Sequence, residues 1–401
     1  MNTQEYIKIE NELGAHNYHP LDVVIERAEG VWVWDIEGKK YLDFLSAYSA
    51  VNQGHRHPKI FNALVEQAKK LTLTSRAFRN NVLPILYKKL NAMTGYDKFL
   101  PMNTGAEAVE TAIKTARKWA YQVKGLPENQ AEIIVATENF HGRTTTIVSF
   151  STDPDAYENY GPFTPGFKIA KYGDINDFKA KITNNTAAIL IEPIQGEAGI
   201  IVPPKGFLKE IQQICKENNI LFICDEIQSG LGRSGKLFAH YYEEVRPDIV
   251  IVGKALGGGY YPVSGILADS EILDVFKPGT HGSTFGGNPL AAAVAIASLE
   301  VIEEENLPEK SYENGKYFVE KLKAIGSPLF KEVRGAGLWI GLELNTTARP
   351  FTEALKDAGL LCKETHVHTI RFAPPLVITK EEIDWAIERI KYVFDTVKPI
   401  N

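Results

Sequence analysis

Cysteine is scarce in this chain, with three in 401 residues, at Cys215, Cys224 and Cys362. An odd count without metal-ligand spacing excludes a disulfide framework and fits a reducing compartment. Long apolar runs are missing too. The longest, Leu290 to Ala297, falls far short of the ~20 residues that cross a bilayer. There is no basic block: 44 Lys and Arg stand against 50 Asp and Glu, a net charge of −6 with both signs scattered. Neither nucleic acid nor an anionic membrane is therefore expected as a partner. Gly (32) and Pro (21) stand near their ordinary share, which excludes collagen-like and linker-like chains. Internal repeats and low-complexity tracts are absent. The opening MNTQEYIKIENELG has glutamates at 5, 10 and 12 and no apolar core. It reads as neither a secretory signal nor an Arg-rich transit peptide, so a soluble, cytoplasmic protein is expected.

What is present is the rhythm of an α/β enzyme. A chain of 401 residues suggests two to three domains or one large two-part enzyme, able to bury roughly three quarters of its unfolded surface. Val31 to Trp34 alternates, DIEG turns and Lys40 to Phe44 returns, which predicts a hairpin. Unalternated apolar runs of strand length follow at Ile133–Ala136, Ala187–Ile191, Ile220–Cys224 and Ile249–Val252. They are separated by helical patterns such as Glu107–Val123 and Phe207–Asn218. Strands of this kind are covered on both faces, so a mostly parallel central sheet flanked by helices is predicted. A long helix starts near Leu290. Beyond it, helix Tyr312–Ala324, strands near Leu338–Leu344 and Thr369–Phe372, and a last helix Lys380–Val397 suggest a smaller α+β unit. The expected division is an N-terminal segment with the hairpin (1–55), a large domain (56–303) and a small C-terminal domain (304–401).

Three of the apolar strands stop at ionisable residues, Glu192, Asp225 and Lys254. Open α/β sheets bind ligands outside the carboxyl ends of their strands, so all three are site candidates. Glu192 alone could equally start a solvent loop. Lys254, in DIVIVGKALGGG, lies between a buried strand and a glycine loop. Desolvation there lowers a lysine's pKa and frees its amine for condensation with a carbonyl. A P-loop fails at two positions, because Asp248 replaces the first glycine and Ala255 the Ser/Thr. The glycines of GLGRSG (230–235) match a dinucleotide fingerprint in letters only, since DEIQS separates them from their strand. Asn103-Thr104-Gly105-Ala106 opens a helix with small residues, where backbone N–H groups can meet a phosphate. HGSTFGGNP (281–289) is a second small-residue loop before a helix, offering the Ser283 and Thr284 hydroxyls. Phe140, before His141-Gly142-Arg143, could be plain core. His366 and His368 have no third ligand in view, so no metal site is expected.

DEIQSG followed 29 residues later by GKALGGG resembles the class III, fold-type I aminotransferases that use pyridoxal phosphate. GAHNYHP, AYSAVNQGH, SRAF, NTGAEA, EPIQGEAGI, HGSTFGGNP, EEENL and RFAPPLVI extend the likeness from about Gly14 to Phe394, and look like the ornithine-type members. The resemblance implies a fold-type I transferase in which Lys254 anchors the cofactor and Asp225 pairs with its ring nitrogen. It further implies that Gly105 and Ala106 lend backbone donors to the phosphate, with Ser283 beside them, and that Thr284 lends its hydroxyl across a homodimer with shared active sites, or a higher oligomer built from it. Phe140 would stack on the ring, Gln228 lie beside the ring hydroxyl, and Glu192 stand behind it. The substrates implied are small molecules: ornithine, and 2-oxoglutarate or glutamate. Arg143 with Tyr18 resembles the clamp for ornithine's α-carboxylate, and Arg371 the one for the dicarboxylate. Glu197 resembles the gate that pairs with Arg371 until a dicarboxylate displaces it, and Tyr48 lines the same pocket. Acetylornithine and 4-aminobutyrate aminotransferases are the alternative within the class; a cofactor-bearing sensor of ornithine is the alternative outside it. Two positions depart from the pattern. Ala106 occupies a variable site where a backbone contact survives, and His141 stands where some ornithine-type members carry tryptophan.

Overall fold

The computed structural model describes residues 1–398. Its centre is a seven-stranded sheet in the order Lys98–Met102, Ser264–Ala268, Ile249–Val252, Leu221–Asp225, Thr186–Ile191, Glu132–Ala136, Phe167–Ala170. Ser264–Ala268 pairs antiparallel with both its neighbours, while the last five strands run parallel to one another. All four predicted apolar runs lie in this parallel part, and three of its strands are buried at every residue.

The reason is visible in how the side chains divide. Ile133, Val135, Ala188, Leu190 and Ile223 pack with Ala108, Ala112 and Ile113 of helix Gly105–Trp119 on one face. Ile134, Ala136, Ile189, Ile191 and Phe222 pack with Phe207, Leu208 and Ile211 of helix Phe207–Glu217 on the other. Burying each of these branched or aromatic side chains contributes roughly 1.5–3 kcal/mol, which holds the strands flat between their helices. Helix Pro289–Glu304 is apolar around most of its circumference, with ten buried residues, as a helix enclosed by core must be. Asn288 caps it by accepting from Ala291 N–H at 2.8 Å.

Two smaller sheets flank the centre. One is antiparallel, in the order Phe330–Ala336, Trp339–Leu344, Thr369–Phe372, Lys363–Thr365. The other contains the predicted hairpin, Trp32–Asp35 with Lys40–Asp43, plus Ile25–Glu29 on one side and Leu360–Leu361 on the other. Helix Tyr312–Ala324 begins earlier than its apolar pattern suggests, at Leu307, because Pro308 sits in its first turn, where a missing N–H costs nothing. Buried Arg233, from the GLGRSG loop, knots the three parts. It donates to the carbonyls of Leu338 (2.9 Å) and Pro374 (2.6 Å) and to Asn52 Oδ1 (2.6 Å).

Candidate active site

The strands ending at Lys254, Asp225 and Glu192 are neighbours in the sheet and parallel, so their carboxyl ends lie side by side at strand spacing of ~4.8 Å. A cavity of about 190 Å³ opens over them, lined by all three together with Gly105, Ala106, Phe140 and Gln228. Eight residues far apart in sequence are thus brought together, among them His141, which the sequence marks only as a departure from the family pattern.

Lys254 adopts φ +44, a left-handed backbone that costs a residue with a Cβ and is found where the surroundings over-determine it. Burial pushes its amine below the ordinary lysine range, against the opposing pull of Glu197, Asp225 and Glu192. Among the described residues its Nζ has no hydrogen-bond partner, so it is available to a ligand in the cavity. Asp225 is buried and doubly held: Oδ1 accepts from Ile227 N–H at 3.1 Å and Oδ2 lies 2.7 Å from His141 Nδ1. Burial lowers the His141 pKa, but the hydrogen bond and charge of Asp225 and the charge of Glu192 outweigh it, so the net shift is upward. The other ring nitrogen, Nε2, is buried without a partner. Glu192 accepts from the N–H groups of Phe140 (3.0 Å) and Gly196 (3.3 Å). Burial still raises it to about 7, with the charge of Asp225 adding to the rise.

The helix Gly105–Trp119 aims its N-terminus at the same cavity. Thr104 and Glu107 form a capping box: the Thr104 hydroxyl accepts from Glu107 N–H, and the Glu107 carboxylate accepts from Thr104 N–H. The box uses the N–H groups on either side of Gly105 and Ala106 and leaves theirs free for an anion. A Cβ on Gly105 would lie 3.0 Å from Ile227 Cδ1, so a larger residue there would have to push that side chain aside. Ser283 Oγ accepts from Asn103 Nδ2 at 3.0 Å, near that helix start, whereas Thr284 is exposed and outside the cavity.

A second cavity, about 320 Å³, shares Phe140, His141 and Gly142 with the first and is lined further by Arg143, Glu197 and Thr365. Here Arg371 Nη1 donates to Glu197 Oε1 at 2.6 Å, and the guanidinium lies 4.9 Å over the Tyr48 ring. Arg371 is buried, and its Nε has no partner. Burial raises the Tyr48 hydroxyl above its usual range, though Arg371 opposes this. Arg143 is exposed, lies 5.8 Å over the Phe140 ring, and forms no ion pair among the described residues. Tyr18 is 78% exposed. Its hydroxyl makes no hydrogen bond to Arg143, although it stands close enough to Tyr48 to affect that residue's ionisation. The reason is its segment: residues 14–20 are exposed throughout and irregular, held through the carbonyls of His19 and Pro20 by Lys363 (2.8 Å) and Arg349 (3.3 Å).

His141 was the functional neighbour that sequence reasoning missed. Its partner is 84 positions away, and no spacing rule links a loop histidine to a strand-end aspartate. Among the described residues no cluster suited to a metal ion occurs, and no helix is long and apolar enough to cross a membrane.

Known proteins resemble the whole chain. Residues 13–394 match the family described as aminotransferase class-III. The ornithine aminotransferase of Brevibacillus brevis is 63% identical over 391 residues, 98% of each chain. An ornithine aminotransferase structure from Toxoplasma gondii, described as having partial occupancy of PLP at its active site, superposes with a TM-score of 0.97. It is 44% identical, covering 99% of this chain and 95% of that one. The acetylornithine aminotransferase of Elizabethkingia anophelis superposes with a TM-score of 0.91 at 50% identity, covering 99% and 100%.

Proposed function

Since the chain belongs to the class-III aminotransferases, which depend on pyridoxal phosphate, we propose that it moves the terminal amino group of L-ornithine to 2-oxoglutarate. The products are glutamate 5-semialdehyde and glutamate. One observation carries this reading above others in the family: the 2.6 Å pair of Arg371 with Glu197, which lines the cavity adjoining the one over Lys254. An enzyme that must react with ornithine at its far amine, and with glutamate at its α-amine, needs an arginine covered for the first and uncovered for the second.

The residues present fit pyridoxal phosphate. Two free N–H groups at a helix start suit its phosphate, a buried carboxylate backed by histidine suits a protonated ring nitrogen, and an unpartnered lysine amine suits its carbonyl. When bound, the cofactor supplies that carbonyl and an electron-withdrawing ring. The protein supplies the rest. Lys254 would anchor the cofactor, and its amine, when free, would carry the proton from the substrate carbon. Asp225 keeps the ring nitrogen protonated, and His141 holds Asp225 in place. Gly105 and Ala106 would hold the phosphate, and Phe140, Gln228 and Glu192, which line the same cavity, would contact the ring and support it from behind. Arg143 with Tyr18 holds ornithine's α-carboxylate. Arg371, its face covered by Tyr48, takes the α-carboxylate of glutamate or 2-oxoglutarate when Glu197 gives way.

We further read the enzyme as a homodimer in which the Ser283–Thr284 loop reaches the neighbour's phosphate site. The exposed Thr284 hydroxyl supports this. Three buried, unpaired cysteines support a cytoplasmic setting. The end of helix Pro289–Glu304 supports a division between a large and a small domain near residue 303. A second reading, transfer from N-acetylornithine, draws on the 50% identical relative. An assay with 2-oxoglutarate, trapping the cyclised semialdehyde formed from ornithine, tests the proposal. Turnover of ornithine above N-acetylornithine and 4-aminobutyrate supports it, and preference for either of the others overturns it.

A further inference from the structure

Four consecutive residues with side chains, Ser46, Ala47, Tyr48 and Ser49, have φ of +51, +46, +58 and +72. Left-handed backbone is visited by single non-glycine residues, and each carries a steric cost between Cβ and the following carbonyl. A whole turn of it, with no glycine, persists only if the surroundings enforce it. Ser46 and Ser49 are buried, and the Ser49 hydroxyl has no partner. The turn closes with backbone bonds from the N–H groups of Ala50 (2.9 Å) and Val51 (3.2 Å) to the Ser46 carbonyl, but these stand against the steric cost of four left-handed residues.

The enforcing group is Asp43, itself buried at the end of strand Lys40–Asp43. Its Oδ1 accepts from the N–H groups of both Leu45 (2.8 Å) and Ser46 (2.9 Å), and its Oδ2 lies 2.7 Å from His55 Nε2. A second tie runs to the strand that bears Arg371. Ser46 Oγ donates to the Ala373 carbonyl at 2.6 Å, and Ala373 N–H donates to the Phe44 carbonyl at 2.7 Å. Between these two anchors the turn delivers the Tyr48 ring to the guanidinium of Arg371.

We propose that Asp43 is a positioning residue for substrate specificity: it pins the left-handed turn Ser46–Ser49, which holds the Tyr48 ring on Arg371 and so sets that arginine's affinity for a dicarboxylate. The inference rests on the role given above to Arg371. Asp43 touches neither substrate nor cofactor and acts through Tyr48.

The test is calorimetric binding of glutarate, a dicarboxylate that cannot react, to the holoenzyme. Asp43→Ala and Asp43→Asn are each made with Tyr48 intact and with Tyr48→Ala. Losing a cation–ring contact predicts a dissociation constant about fivefold weaker for Asp43→Ala. Asp43→Asn keeps an oxygen for both N–H groups and stays within about twofold of wild type. In the Tyr48→Ala background Asp43→Ala should add nothing, because the two residues act as one unit. The same loss in both backgrounds, or no loss with Tyr48 intact, overturns the proposal. If Asp43→Ala does not fold, Ser46→Ala cuts the tie to Ala373 instead. It should show the same Tyr48-dependent loss, and its absence counts equally against the idea. Glutarate binding that Arg371→Ala leaves unweakened overturns the role of Arg371 itself, which separates that failure from a failure of the pinning.

Discussion

The floor of the site and its mouth are built by different means. Lys254, Asp225 and Glu192 end three adjacent parallel strands whose side chains are buried on both faces. Their spacing is a property of the sheet, and side-chain entropy plays little part in it. Arg143, Glu197, Tyr18 and Tyr48 come from loops, an exposed N-terminal segment and a strained turn, with Arg371 alone on a strand. In the proposed function the floor serves any reaction this cofactor supports, whereas the mouth selects which amine and which carboxylate are presented. Adjacent strand ends there carry the chemistry, while loops, a pinned turn and one strand carry the choice of substrate.

Substitutions can break or sharpen that contrast. The largest effect is expected at the floor. Lys254→Ala should lower turnover by at least about 10⁴-fold, since anchor and proton carrier are lost together. Thermal unfolding should show a folded protein, and borohydride reduction of wild type with peptide mapping should place the cofactor on this lysine. Labelling elsewhere would sink the assignment.

Asp225→Ala leaves a buried cation unpaired, costing about 3–5 kcal/mol, and should slow turnover by roughly 10²–10⁴-fold. The absorbance of the bound cofactor against pH should show its ring nitrogen losing its proton in the same range where wild type keeps it. An unchanged profile would mean that another group holds the proton.

Glu192 gives a pH-dependent effect on stability. Its folded-state pKa, about 7, lies above the ordinary 4.5. The native state therefore binds the proton more tightly than the unfolded chain does. Its contribution is full below pH ~4.5, declines as pH rises toward ~7 and is level above, by up to about 3 kcal/mol in all. Denaturant unfolding of the apoprotein across that window should lose this slope in Glu192→Gln. A slope that survives the substitution belongs to other groups.

At the mouth the effects are smaller and selective. Glu197→Ala uncovers Arg371 and should speed the glutamate half-reaction by up to about fivefold, since a partly exposed ion pair no longer competes with the substrate carboxylate. Tyr18→Phe should weaken ornithine use by only about two- to tenfold, because a hydroxyl this exposed makes a modest hydrogen bond. Steady-state kinetics with each substrate varied in turn would reveal either residue as merely structural, if both substrates suffered alike.

The contrast also explains what the sequence revealed. The parallel strands were legible because burial on both faces leaves unbroken apolar runs, and the residues that end them were legible as a floor. Strands Ile25–Glu29 and Phe330–Ala336 were not: they are largely exposed or half-buried and carry charges such as Lys331, Glu332 and Arg334, so neither period nor composition marks them. The helix Arg349–Asp357, though amphipathic, is too short at nine residues to show a clear period. His141 and Asp43 escaped for another reason. Each acts on a partner or a backbone conformation that only the folded chain brings into reach, and a turn written Ser-Ala-Tyr-Ser carries no glycine to announce a positive φ.

The most direct test of the floor-and-mouth account is the rate of each half-reaction in isolation, followed by cofactor absorbance after single mixing with ornithine or with glutamate. Wild type, Asp225→Ala and Glu197→Ala are compared. The account predicts that Asp225→Ala slows both half-reactions by a common factor, while Glu197→Ala speeds glutamate and slows productive reaction with ornithine. Parallel changes in both half-reactions for Glu197→Ala would contradict it, since the carboxylate facing Arg371 would then have no part in choosing the substrate.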